Sequence, residues 1–490
     1  MSKPRGGLDR RSFLRLAASG LAAGAAGASI TLVSCDDTPV DVGRHDGRRA
    51  ALRPPPDMPV GSATLIAAPG ASSIGSTELY AAWLFNGQLP GTTLRARRGD
   101  DARIRLLNQL PEETIVHWHG LIVPELADGH PRNAIQPGAH YDYAFPIIQR
   151  AGTYWYHTHA HHRTAGQIQR GLAGFFIVSD EQEDALDLPR GEREVLLMLQ
   201  DRSSDAANPF DYAPSGTDHL TGLLGDTPFG NGIRLPRLDV SANRYRLRVL
   251  NASHARVYRL ALSNDLPLII VGNDGGLLSA PVECSSVFLG VGERVDMLID
   301  LAPLAVGQSI MLSSLPFDTP TAGERFPQGM PLDLLELVIA QPSDGRDGMV
   351  PAMLSNPGVP DEGAVAATRD FVLSSRSNGA DHLINGMPFD MTRVDERIEL
   401  GVTERWRFHN DSSLPHPVHL HGTPFRIMAR SGGRNVVYPY EAGWKDTTLV
   451  MPLETVEVLV RFENYRGVFP LHCHNLQHED MGMMMNVEVT

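Results

Sequence analysis

The sequence predicts an all-β protein made of tandem antiparallel sandwiches, and three observations carry that reading. The pattern Arg-x-Arg-x-x-Asn occurs as Arg103, Arg105 and Asn108, as Arg246, Arg248 and Asn251, and as Arg405, Arg407 and Asn410. Each copy follows an Asn-Gly pair, at Asn86-Gly87, Asn231-Gly232 and Asn385-Gly386, and such pairs between apolar runs signal hairpins or loops. Within each repeat the segments are short and alternate in polarity, as at 102–107, 245–250 and 456–460, which is the period of strands buried on one face. A repeat of about 150 residues means tandem domains and not a solenoid.

Taken in chain order, the first element is an export signal. Leu8-Asp9-Arg10-Arg11-Ser12-Phe13-Leu14 matches the twin-arginine pattern apart from Asp9, and an Ala/Gly-rich stretch follows to Val33. Leu32-Val33-Ser34-Cys35 resembles a bacterial lipobox, so residues 1–34 are expected to be removed. Cys35 is then either lipidated, giving a membrane tether, or a neighbour of an ordinary cleavage site. Both readings place the protein in the periplasm or at the cell envelope. An uncleaved membrane anchor is disfavoured, because Arg15 interrupts a stretch that Ala and Gly make only weakly apolar. Three sandwich domains follow, at 55–185, 186–350 and 365–490, with Pro342 to Asp370 as a Pro-, Gly-, Asp- and Ser-containing linker.

At 490 residues the chain exceeds what one core usually supports, and 42% hydrophobic residues mark it as globular. Its formal net charge is −14; removing residues 1–34, with five basic side chains against one acid, leaves −18. That argues against a nucleic-acid partner, since binding phosphates needs a basic patch. Lys3 and Lys445 are the only lysines, and the preference for Arg is read as carrying no function. Of three cysteines, Cys35 lies in the signal region and Cys473 in a His-rich string, so Cys284 is left as a buried small hydrophobe with no internal disulfide framework.

Four His-rich strings carry the chemistry: His117-Trp118-His119, His157-Thr158-His159, His416-Pro417-Val418-His419-Leu420-His421, and His472-Cys473-His474 running on to His478 and Met483. Ten imidazoles, one thiolate and one thioether make a ligand set for four metal ions. His, Cys and Met favour copper, and two His with a Cys and a weak Met are the donors of a blue-copper electron-transfer site. On an extended segment residues i and i+2 share a face, so each His-x-His pair offers two rings to one side. In His472-Cys473-His474 the sulfur points the other way, and one strand can serve metals on both faces. Thr158 stands where Cys473 stands, and a neutral hydroxyl does not replace a thiolate. The first domain therefore builds no blue centre. The second, with only isolated His219 and His254, reads as a spacer.

These strings resemble the four copper-binding motifs of the multicopper oxidases, the family of laccases, ascorbate oxidase, bilirubin oxidase and bacterial cuprous oxidases. The resemblance implies three tandem cupredoxin-like Greek-key β-sandwich domains and four copper ions. It assigns the type 1 copper to His416, Cys473 and His478 with Met483 axial, and the type 2 copper to His117 and His419. For the type 3 pair it assigns one ion to His119, His157 and His474, and the other to His159, His421 and His472. It further implies a monomeric oxidase that takes single electrons from a phenol, an aromatic amine, Cu(I) or Fe(II) through an exposed edge of His416 or His478, and reduces dioxygen to water. Asp128 and Glu479 match acidic positions of the family near the cluster and are read as proton carriers, beside the simpler reading of loop acids or groups orienting a His. Asp411 is a candidate to take a phenol proton, or a turn residue in Asn410-Asp411-Ser412-Ser413. The methionine-rich insert of many cuprous oxidases has no equivalent; only scattered Met330, Met349, Met353, Met387 and Met391 occur there. A copper-buffering protein without turnover, a fold that has lost its metals, and nitrite reductase are the competing readings.

Overall fold

Alternating burial builds the strands: in Asp101–Asn108, Ala102, Ile104, Leu106 and Asn108 are buried while the residues between them face outward. The computed structural model describes residues 49–319, 326–358, 364–375 and 382–490. The export signal and Cys35 lie outside the described residues.

Among the described residues the strands form six sheets in three successive pairs. The first pair holds one sheet in the order Asp57–Pro59, Gly91–Arg97, Ala173–Ser179, Gly152–Thr158 and Val116–His119. Its partner runs Tyr80–Phe85, Ala63–Ser72, Asp101–Asn108 and His140–Pro146. The last pair holds one sheet in the order Glu396–Ile398, Met484–Val489, Gly467–Cys473, His416–Leu420 and Thr447–Val450. Facing it is the sheet His382–Ile384, Val365–Ser375, Thr403–Asn410, Glu454–Arg461 and Phe425–Gly432. A seven-stranded and a five-stranded sheet, drawn from Glu194–Arg202 to Leu332–Gln341, lie between them in sequence. Each pair encloses its own apolar core, around Trp118 and Phe176, around Leu247 and Leu337, and around Trp406 and Val458.

The sheets are mixed, which corrects the expectation of antiparallel sandwiches. In every repeat the strand bearing Arg-x-Arg-x-x-Asn lies parallel to an earlier one: Asp101–Asn108 beside Ala63–Ser72, Arg244–Asn251 beside Glu194–Arg202, and Thr403–Asn410 beside Val365–Ser375. The intervening chain in each case is long enough for the crossover that parallel neighbours require.

The repeated asparagines have one job each. Asn86, Asn231 and Asn385 sit at φ 52°, 49° and 53°, left-handed positions that Asn tolerates. Their side-chain oxygens accept from Ile66, Met198 and Val372 N–H at 2.7, 2.8 and 2.8 Å. Asn108, Asn251 and Asn410 are buried, and each amide donates to two backbone carbonyls: Glu112 and Ile135, Arg256 and Leu289, Leu414 and Val450. The third of these closes the loop in front of His416.

Candidate metal centres

Strand register brings the histidines together. His117 lies opposite His157, and His419 opposite His472, so each sheet presents an adjacent pair of rings on one face. Thr158 pairs with Val116 as Cys473 pairs with Val418, so the two residues hold the same register position. His159, His421 and His474 follow directly after strand ends, yet their N–H groups bond Ile115, Pro470 and Pro417 carbonyls, and the extended path continues. All ten rings are buried.

The ring nitrogens are sorted by their outward bonds. His117 Nδ1 is 2.6 Å from the Asp128 carbonyl and His419 Nδ1 is 2.9 Å from that of Asp446, so each of these nitrogens carries the proton. Their Nε2 atoms then face one another at 3.3 Å as two lone pairs, which repel unless a cation sits with them. The same holds deeper in. His421 Nδ1 donates to Asp128 Oδ2 at 2.7 Å and His472 Nδ1 to the Cys473 carbonyl at 3.1 Å, leaving their Nε2 atoms 3.1 Å apart, with His159 Nε2 3.4 Å from that of His472. His157 Nδ1 donates to the Thr158 carbonyl at 3.0 Å, and its Nε2 has no protein partner. His119 is turned the other way, with Nε2 on Asp446 and Thr447 and Nδ1 without a partner. Burial pushes these imidazoles down, His157 and His472 to about 3, so they stand neutral and ready to ligate. Donor atoms within 4.8 Å of one another group His159 with His421 and His472, and His119 with His117 and His157. His474 joins no such group, although its ring lies 5.0 Å from His119 and 5.2 Å from His157.

A separate triangle lies behind the last strand. His416 Nδ1 is 3.4 Å from Cys473 Sγ, His478 Nδ1 is 3.8 Å from it, and the two nitrogens are 3.2 Å apart. His416 Nε2 donates to Ser412 Oγ at 2.9 Å, whose own hydrogen goes to Asn410, and His478 Nε2 donates to the Leu220 carbonyl at 2.9 Å. Two imidazole lone pairs and a sulfur thus converge on one point, a trigonal set suited to copper. Burial pushes the Cys473 thiol up, so a metal must displace its proton; the Asn475 N–H, 3.4 Å from Sγ, favours the thiolate. Met483 is buried in the same core cluster as Cys473, and its backbone bonds both Cys473 and His478.

Asp128 holds two of these histidines, His117 by its carbonyl and His421 by its carboxylate, and burial raises that carboxyl well above the usual range. Glu479 is raised likewise, within 3.4 Å of His472 Nδ1.

Several expectations change. His416 and His478 have no exposed edge; both are fully buried, and His382 stacks on His478 at 3.7 Å between ring centroids. Asp411 is exposed, and Ser412 is the residue that reaches His416. Cys284 is only half-buried, at the end of a strand packed on the central core. Nor is the central block a spacer. Leu220 caps His478, His219 accepts from His382, and His254 meets Gln477 at 2.7 Å. Lys445 is buried between Asp274 and Glu293, at 3.0 and 3.2 Å. Asp446, Thr447, Arg294 and His382 went unnoticed in the sequence.

A family model described as multicopper oxidase matches residues 70–183, and a second of the same description matches 364–490. The laccase of Bacillus stratosphericus is 30% identical over 465 residues, spanning 83% of this chain and 90% of that protein. A protein of Dickeya dadantii named cell division protein FtsP is 34% identical over 415 residues, spanning 82% and 83%. The crystal structure of the McoA multicopper oxidase of Aquifex aeolicus aligns with a TM-score of 0.82 at 31% identity, covering 90% of this chain and 100% of that one. The two matched segments between them hold all four His strings, and the chain belongs to the multicopper oxidase family.

Proposed function

We propose that this oxidase draws single electrons from phenols or aromatic amines at a type 1 copper and delivers them to a three-copper cluster where dioxygen becomes water. His416, Cys473 and His478 would hold the type 1 ion with Met483 as a weak fourth ligand, and His117 with His419 the type 2 ion. His119, His157 and His474 would hold one type 3 ion, and His159, His421 and His472 the other. When bound, the four coppers would supply one-electron storage and the open coordination at which dioxygen is reduced. Everything else falls to the chain. Cys473 is covalently continuous with His472 and His474, which gives a short path from the first site to the cluster. Asp128 and Glu479, buried and holding protons readily, stand beside cluster ligands where water formation consumes them. His382 and Leu220 cover His478, so donors dock on that cover.

The single observation that carries this reading is the meeting of Nε2 lone pairs at 3.1 to 3.4 Å beside a separate His-Cys-His triangle. Cu(I) or Fe(II) as donor is the second reading, favoured by the exposure of Met349, Met353 and Met387. The proposal includes three cupredoxin-like domains at 55–185, 186–350 and 365–490, a monomer, and twin-arginine export to the periplasm or envelope with Cys35 as the lipid site; the mass of the mature protein tests the last. Function is tested by copper loading, absorption spectroscopy, and oxygen uptake with a phenol, Cu(I) and Fe(II). Four coppers per chain, a blue band lost in Cys473→Ser, and oxygen uptake by the parent alone are expected. A blue protein that consumes no oxygen with any donor would instead be a copper buffer.

A further inference from the structure

Among the described residues, His119 is the one cluster histidine whose Nε2 lies within hydrogen-bond distance of a carboxylate, and that carboxylate is held from the central block. Asp446 Oδ1 lies 3.0 Å from His119 Nε2, and the Thr447 hydroxyl sits 3.0 Å from the same nitrogen and donates to Asp446 Oδ1 at 2.9 Å. A carboxylate oxygen only accepts, so Nε2 carries the proton and the lone pair of His119 is on Nδ1. His117, His157, His419, His421 and His472 are oriented in the opposite sense, with Nδ1 on an oxygen.

Asp446 is gripped by Arg294, at the start of the strand Arg294–Asp300. Both residues are buried, and all five guanidinium N–H groups are engaged. Nε donates to the Thr153 carbonyl at 2.8 Å. Nη1 donates to the Gly292 carbonyl at 3.1 Å and to Asp446 Oδ1 at 2.6 Å. Nη2 donates to the Asp274 carbonyl at 3.0 Å and to Asp446 Oδ2 at 2.6 Å. The fork thus joins the first sheet pair, the central block and the last sheet pair at one carboxylate. Gly292, in the same loop, lies against both His119 and His474: a Cβ there would come within 3.1 Å of either ring.

We propose that Arg294 and Asp446 are positioning residues that fix the inverted tautomer of His119, so that the central block sets the geometry of the copper cluster without supplying a ligand. This rests on the reading that His119 binds copper. Asp446→Asn is the sharpest variant: it keeps the shape, but its amide can donate to Nε2 and so favours the wrong tautomer. Arg294→Lys keeps the charge and loses the fork. Groups that orient metal-bound histidines are worth roughly 10- to 100-fold in metal affinity. The test is a competitive-chelator titration of copper-loaded protein, with copper counted per chain and type 1 and type 2 electron paramagnetic resonance signals recorded separately. Both variants are expected to keep the type 1 signal and to lose cluster copper at chelator concentrations roughly 10- to 100-fold lower than the parent. Thr447→Val, which alters no charge, moves the same way by a smaller factor and serves if either variant fails to fold. Parent-like affinity and an unchanged type 2 signal in the variants that fold would overturn the proposal while leaving the oxidase reading intact. A parent that binds only type 1 copper would overturn both.

Discussion

Replacing Asp128 separates two roles that one side chain combines. Its carboxylate accepts from His421 Nδ1 at 2.7 Å, while its carbonyl, which no substitution removes, accepts from His117 Nδ1 at 2.6 Å. Asp128→Asn keeps an oxygen for His421 but has no proton to give. Asp128→Ala removes the oxygen too and leaves a buried N–H unpaired, a penalty of about 1–3 kcal/mol. If proton delivery is the function, the Asn variant holds full copper and turns over at least roughly 100-fold more slowly, about 2.7 kcal/mol in barrier. The Ala variant additionally binds cluster copper roughly 10- to 100-fold more weakly. Anaerobic bleaching of the blue band by a phenol should match the parent in both, because Asp128 touches none of His416, Cys473 and His478. Oxygen-electrode turnover, stopped-flow bleaching and copper analysis make the comparison. An Asn variant with parental turnover and pH profile would remove Asp128 from the proton path, and equally slowed bleaching would show a general distortion.

Three further outcomes are expected. Met483→Leu, which removes the thioether from the Cys473 core cluster, raises the type 1 reduction potential; no shift in a redox titration would mean that Met483 is not the axial ligand. His382→Ala uncovers the face of His478 and sacrifices a ring pair worth about 0.5–1.5 kcal/mol, so kcat/KM for a bulky phenol rises while thermal stability falls slightly. An unaltered kcat/KM would show that donors approach elsewhere. Burial raises Asp480 to about 7, despite bonds from Thr164 and Ala165 N–H at 3.0 Å. The folded state then holds the extra proton between pH of about 4 and 7, so stability of the copper-free protein falls as pH rises through that window, on the order of 4 kcal/mol at most. Asp480→Asn flattens that slope in denaturant titrations at successive pH values; parallel slopes for parent and variant would refute the assignment.

The clustering of the His strings was legible because strand geometry has a period of two and the rings follow it. His117 and His119, or His472 and His474, need no tertiary information to share a face. The repeats were legible for the same local reason, since Asn86, Asn231 and Asn385 each fill a position that only a few residues tolerate. Sheet direction was not, because the parallel neighbours of Asp101–Asn108 and its counterparts arise from crossovers that alternation does not record. Apart from Asp128, the groups that orient the rings were also invisible. Asp446 meets His119 across 327 residues of sequence, and Arg294 reaches Asp446 across 152. Lys445, one of two lysines, gave no local sign of its burial between Asp274 and Glu293, which are 171 and 152 residues away. The cover over His478 failed for a related reason: exposure of a ring edge depends on which distant segment lands upon it, and here Leu220 and His382 do.

The facing nitrogens of His117 and His419 are separated by 302 residues along the chain. On the proposed ligand assignment, no ribosome-bound fragment lacking His472 and His474 can complete the three-copper cluster, however well its first sheets have folded. Loading of that cluster would then wait until the polypeptide has been made through those positions, and a product terminated before them would also lack the Cys473 thiolate of the proposed type 1 site.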